Sequence, residues 1–207
     1  MPSLQRLKTI FLRMLYVTSD FHFYHKNMVR SLSNWDYTEH CRDFDSIDNM
    51  NESIIQSVNS TCTKSDTLLF LGDFAIYNVN NGKYNKNIHA ILEKLNPNMI
   101  FLKGNHDDRF FHNFSLNESN GRWIFLNMDI FEFDYNDVHF VSCHYPLLSW
   151  NGAIRGAIML HGHCHNYCVD PQFYKDHKIM DVYYEDRVFP ITEIIDKFKN
   201  KDNNFIM

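Results

Sequence analysis

The stretch "MLYVTSDFHFYHKN", residues 14–27, sets the reading of the chain. It opens with a short run rich in apolar and β-branched residues, as buried strands do. It then passes directly into Asp20 and His22, two residues apart. The same arrangement recurs downstream. "TLLFLGD" (67–73) ends in Gly72 and Asp73, and "NMIFLKGNHD" (98–107) in Gly104, Asn105, His106 and Asp107. "VHFVSCH" (138–144) ends in His144, and "AIMLHGHCH" (157–165) in His161, Gly162, His163 and His165. Five apolar runs therefore deliver carboxylate, amide or imidazole groups at their carboxyl ends, the edge where ligands bind in open α/β sheets.

Helical patterns lie between these strands. "DSIDNMNESIIQSVNS" (45–60) carries Ile47, Met50, Ile54, Ile55 and Val58 at helical spacing, with Asp45 or Ser46 as its cap. "YNKNIHAILEKL" (84–95) repeats the pattern, and "ITEIIDKF" (191–198) predicts a short closing helix. "MDIFEF" (128–133) and "DVHFVS" form a hairpin around Tyr135, Asn136 and Asp137, and a last short strand is expected at 179–183. This order predicts an α/β layered domain with a mixed sheet system. No repeat or linker divides it. The expected boundaries are a dispensable extension over 1–13, a domain over 14–200 and a tail over 201–207.

The bulk numbers fit one soluble domain. The chain has 207 residues, 44 % hydrophobic and 22 % charged. A net charge of −5 gives no general attraction to nucleic acid or anionic membrane. No apolar run approaches the roughly 20 residues of a membrane helix, and the first residues do not read as a secretory signal. Five cysteines, an odd number, point to free thiols in a reducing, cytoplasmic setting.

Asp and Asn oxygens with His nitrogens, and no required thiolate, suit Mn²⁺, Fe or Zn²⁺. Seven such groups exceed what one tetrahedral ion needs, so two ions fit better, sharing a bridging water and neutralising charge on a phosphoryl group. A lone buried histidine pair would be read as core; with the other segments present, it reads as ligands.

Asp20-Phe21-His22, Gly72-Asp73, Gly104-Asn105-His106-Asp107, His144 and Gly162-His163-Cys164-His165 resemble, in order, the five motifs of the calcineurin-like metallophosphoesterases. "SDFHFYHKN" and "HYPLLSWNG" are similar to small bacterial and phage members, with Tyr24 where that subgroup carries Gly. The resemblance implies a four-layer α/β/β/α sandwich of two packed mixed β-sheets flanked by helices. It implies one metal on Asp20, His22 and His165, another on Asn105, His144 and His163, and Asp73 bridging them. His106 would act on the phosphoryl group and Asp107 would orient His106. The cofactors implied are two divalent ions, Mn foremost, with Fe, Zn, Ni or Mg as alternatives. The reaction implied is hydrolysis of a phosphodiester, ahead of a phosphomonoester, by in-line attack of a metal-bound water or hydroxide on a small, nucleotide-like substrate. A catalytically silent scaffold of the same fold and a small nuclease are the alternatives. His25 and Arg155 are candidate substrate contacts; Tyr145 and Trp150 could stack on a ring or pack against the site loop; His161 is expected to support the site.

Overall fold

A computed structural model describes residues 14–76, 83–114, 121–167 and 170–204; the expected extension over 1–13 lies outside them. The strands form two sheets. The first has the order β4 (Trp123–Phe125), β3 (Asn98–Phe101), β2 (Thr67–Phe70), β1 (Leu15–Thr18), β9 (Phe189–Pro190). Its first four strands run parallel, and β9 is antiparallel to β1. The second has the order β5 (Ile130–Tyr135), β6 (Val138–Cys143), β7 (Ile158–His161), β8 (Ile179–Asp181). Here β5 and β6 are antiparallel, and β6, β7 and β8 are parallel.

The inner faces of both sheets share one apolar seam, built from Leu15, Val17, Leu69, Ile100 and Ile124 on one side and Phe131, Phe133, Phe140, Ile158 and Leu160 on the other. Strand alternation sends Leu68, Phe70, Met99 and Phe101 to the outer face of the first sheet. There they meet the apolar stripes of α1 (Ile47–Thr61) and α2 (Lys83–Lys94), together with Phe110 of α3 (Asp108–Phe114). Such strands are buried on both sides, which is why they read as continuous apolar runs. Each fully buried Leu, Ile or Phe contributes about 1.5–3 kcal/mol through area removed from water. The outer face of the second sheet is covered by Trp150, Ala153 and Ala157 and by Phe173 and Tyr174 of α4 (Pro171–Asp176). The last helix, α5 (Ile191–Phe198), inserts Ile191, Ile194 and Phe198 into the seam between the sheets.

Local chemistry explains the boundaries. Ser46 caps α1 by accepting from the Asn49 amide at 3.1 Å. Asn136 and Asp137 join β5 to β6 with φ of 48° and 62°, as a two-residue turn with two left-handed positions requires. Residues 201–204, expected to be a tail, are fastened to the segment before β7 and to the end of α4. The Asn203 amide group donates to the carbonyls of Ala153 and Ala157 at 2.7 and 3.1 Å, and the Asn204 N–H donates to Asp176.

At the other end of the chain, Met14 supplies a carbonyl to the Thr67 N–H at 3.0 Å and Leu15 begins β1. A chain starting at Met14 is therefore expected to keep the far-UV circular dichroism and Tm of the full chain; an insoluble or molten truncation would contradict this.

Candidate metal centre

The carboxyl ends of β1, β2, β3, β6 and β7 meet along one edge of the double sheet. Backbone hydrogen bonds stitch the loops there. The N–H groups of Asp20, His22 and Phe23 donate to the carbonyls of Gly72, Asp73 and Phe74 at 2.9–3.0 Å, and Gly162 N–H donates to His144. The two sheets are tied by Ser19 N–H to Val182 and by Tyr184 N–H to Ser19, both at 3.1 Å.

Alternation continues into these loops. Phe21 and Phe23 enter the helix-side core, so Asp20 and His22 turn the other way. Left-handed backbone makes the convergence possible. Asp20, His22, Asp73, His163 and His165 have φ of 56°, 53°, 60°, 69° and 49°. Such conformations cost a non-glycine residue about 1 kcal/mol or more each and gather where function requires them. Tyr24 also lies at φ 61°. It holds, with strain, the conformation that a glycine adopts freely.

Asp20 and Asp73 are fully or almost fully buried. Asp20 Oδ2 accepts from the His163 N–H at 3.0 Å. Asp20 Oδ1 has no hydrogen-bond donor among the described residues; it faces the Nε2 atoms of His165 and His22 at 3.5 and 3.7 Å, which lie 3.1 Å from each other. Asp73 Oδ2 lies 3.8 Å from His22 Nε2 and 3.6 Å from His144 Nε2, between the two groups. Beyond it, Asn105 Oδ1 is 2.9 Å from both His144 Nε2 and His163 Nδ1. Ligand atoms of Asp20, His22 and His165 all fall within 4.8 Å of one another, as do those of Asp20, Asp73 and His144.

This donor set fits divalent cations. A buried carboxylate oxygen without a donor is costly unless a positive charge meets it. The imidazoles are prepared for the role. Burial, then the neighbouring His165, His25, Arg42 and His106, hold His22 well below the usual histidine range, so it is neutral. Its Nδ1 lies 3.3 Å from His25 Nδ1, and with His22 as the donor of that pair Nε2 keeps its lone pair. His144 Nδ1 donates to the Leu71 carbonyl at 2.8 Å. Burial pushes His144 down, but Asp73 and Asp20 outweigh it and raise it to about 9. The two carboxylates thus attract positive charge to His144 Nε2, the atom aimed at Asn105 and Asp73.

The glycines leave room for the carboxylates. A Cβ on Gly104 would occupy the place of Asp73 Oδ1, and one on Gly162 would overlap Asp20 Oδ2.

His106 stands at the open side. Its ring is 42 % exposed with Nε2 3.8 Å from Asp73 Oδ2, and its N–H donates to Asp73 Oδ1 at 2.8 Å. Asp107, expected to orient that ring, has its carboxylate bonded to backbone. Its Oδ2 accepts from the N–H groups of Asp73 and Gly104 at 2.6 and 2.9 Å, and its Oδ1 from Phe74 at 2.9 Å. Both oxygens accept from backbone, and Asp107 fixes the loop that carries Asp73. Arg155 lines a surface cavity with Asp137, Val138 and His139, at the amino end of β6, whereas the candidate ligands gather at the carboxyl end. Trp150 is buried and donates to the Ala157 carbonyl at 3.0 Å, so it packs. His25 lies beside the centre, its ring centroid 5.1 Å from that of His22 and 5.8 Å from that of His106. His161 is buried beside the candidate ligands: Nδ1 meets the Gly162 carbonyl at 2.7 Å and Nε2 meets the Tyr174 hydroxyl at 2.5 Å.

Arg42 was not singled out from the sequence. Its buried guanidinium donates to the carbonyls of Phe21, Asp20 and Tyr184 at 2.6, 2.7 and 2.9 Å. It clamps the Asp20 loop of the first sheet to the strand end of the second. No local pattern marks such a residue; its partners are distant in the chain.

The sequence model of the calcineurin-like phosphoesterases matches residues 14–207, and the chain belongs to that family. An uncharacterized protein of Methanocaldococcus jannaschii is 30 % identical over 154 residues, 74 % of this chain and 70 % of its own. The crystal structure of a protein of unknown function from Aquifex aeolicus, AQ665, superposes with a TM-score of 0.61 at 20 % identity, covering 89 % of this chain and 98 % of that one, a likeness of fold.

Arg42→Lys keeps the charge but cannot serve three carbonyls in a fork. With charge-assisted bonds worth about 1.5–3 kcal/mol each, loss of two is expected to lower Tm by roughly 10 °C. An unchanged melting curve would contradict the clamp.

Proposed function

We propose that the protein hydrolyses phosphoric esters at a centre of two divalent ions. Asp20, His22 and His165 would hold one ion, Asn105, His144 and His163 the other, and Asp73 would serve both. Manganese suits this oxygen and nitrogen set best; Fe, Zn, Ni and Mg follow. The observation that carries the reading is the buried, donor-free Asp20 Oδ1 facing two imidazole nitrogens at 3.5 and 3.7 Å. When bound, such ions lower the pKa of water and neutralise the phosphoryl oxygens.

This chain's own residues supply the rest. Asp73, fixed by Asp107 through the backbone and by the His106 N–H, centres the reacting phosphorus. The exposed His106 ring faces the open side, where it donates a proton to the leaving oxygen. His25 acts first on His22, by holding its tautomer, and its free edge can meet a phosphoryl oxygen. Water enters opposite the leaving oxygen, the ester P–O bond breaks, and an alcohol and a phosphate product depart. The scaffold alternative predicts missing ligands, and none of the seven is missing. No helix of the described residues is long and apolar enough to cross a membrane, and Cys41, Cys62, Cys143 and Cys164 are free thiols, which favours a reducing, cytoplasmic setting.

Purified protein supplied with Mn²⁺ is expected to cleave bis(4-nitrophenyl) phosphate and to lose that activity to EDTA. His106→Ala should reduce kcat by about 10²–10⁴ while retaining bound metal, as loss of a proton donor does. Asp73→Ala should lose both rate and metal; a fully active Asp73→Ala would overturn the reading.

A further inference from the structure

Two exposed aromatic rings flank the centre, one against each group of ligands. Tyr145 is 46 % exposed. Its ring centroid lies 4.6 Å from that of His163 and 5.1 Å from that of His144, at the Asn105 end. Trp35 is 40 % exposed. Its ring stands edge-on to His25 at 5.4 Å, and His25 in turn packs on His22 and His106, at the Asp20 end. Neither ring belongs to the buried core clusters. The chain's other two tryptophans, Trp123 and Trp150, are each only 7 % exposed. Large rings left in water beside a polar cleft gain little in folding. They gain most by meeting a planar apolar group, as bases do on aromatic platforms at about 1–3 kcal/mol per base.

We infer that the substrate is a short linear phosphodiester with a planar ring on each side of the scissile phosphate, of the dinucleotide kind, and that Tyr145 and Trp35 stack on those two rings. The inference rests on the phosphoesterase reading and narrows it. A phosphomonoester or a cyclic mononucleotide carries one ring and would leave one platform idle. A long nucleic acid would meet a chain of net charge −5, which supplies no broad basic track. Stacking does not distinguish one base from another, so ring number rather than base identity governs recognition. The chemistry is redox-neutral. One water adds, one P–O bond forms and one breaks. The proton goes to the departing ring-bearing alcohol, and the second ring leaves as its phosphomonoester.

The test separates binding from turnover. A non-hydrolysable methylenephosphonate analogue of thymidylyl-thymidine is titrated into the Zn²⁺-loaded full chain, with tryptophan fluorescence and calorimetry as readouts. The analogue is expected to quench wild-type emission, since Trp35 is the exposed tryptophan, and to leave Trp35→Phe emission unquenched. Trp35→Ala and Tyr145→Ala are each expected to raise Kd about tenfold. Equal binding by wild type and both variants, or no binding to a wild-type protein that hydrolyses bis(4-nitrophenyl) phosphate, overturns the inference. An effect of one ring alone overturns the two-ring assignment in favour of a one-ring ester. Wild type inert on the nitrophenyl ester with every metal contradicts the phosphoesterase reading itself.

Discussion

Two carboxylates, Asp20 and Asp73, are held out of water at the seam of two sheets, and the surrounding structure is an answer to that charge. Neighbouring amides take part of it: His163 N–H reaches Asp20 Oδ2, and His106 N–H reaches Asp73 Oδ1. Imidazoles surround the remainder, and His144 is raised to about 9 by the same two carboxylates after burial has pushed it down. One oxygen, Asp20 Oδ1, is left with no donor. An apolar core would tolerate that only at several kcal/mol, and a cation bound there would remove the penalty. Fold and function therefore share one electrostatic problem.

The backbone carries the cost of assembling the site. Five of the seven proposed ligands sit in the left-handed region. Strands that run parallel into a common edge would scatter their next side chains above and below the sheet. Left-handed residues after β1, β2 and β7 redirect their side chains towards the shared centre. What holds these strained positions is rigid support behind them: the interstrand bonds between the Asp20 and Asp73 loops, Asp107 on three amides, and Arg42 on three carbonyls. Stability is thereby concentrated one layer behind the chemistry, where Asp107 and Arg42 act on geometry without reaching the open face.

Much of this was legible in the sequence because buried parallel strands and metal ligands both constrain residue type. Continuous apolar runs located β1, β2, β3, β6 and β7, and the polar groups after them are the ones that converge. Short elements were not legible. β4 spans three residues, β9 two, and α4 six, too few for a period to emerge, although Asp170 followed by Pro171 is a cap-and-first-turn signal for α4. Side-chain direction was not legible either. Asp107 follows His106 directly, yet its carboxylate turns to the backbone of 73, 74 and 104. Arg155 lies between two ligand-bearing segments along the chain, but β6 and β7 are parallel. The connection must return from the carboxyl end of one to the amino end of the other, and it carries Arg155 away from the centre.

The central claim is that cations occupy the space between these carboxylates and imidazoles. Diffraction from crystals grown with Mn²⁺, recorded on both sides of the manganese absorption edge, tests it most directly. The account predicts two anomalous peaks about 3.5–4 Å apart, one beside Asp20, His22 and His165, the other beside Asn105, His144 and His163, with the Asp73 carboxylate between them. A map from fully loaded crystals with no peak next to Asp73, or with manganese only elsewhere on the molecule, would contradict it.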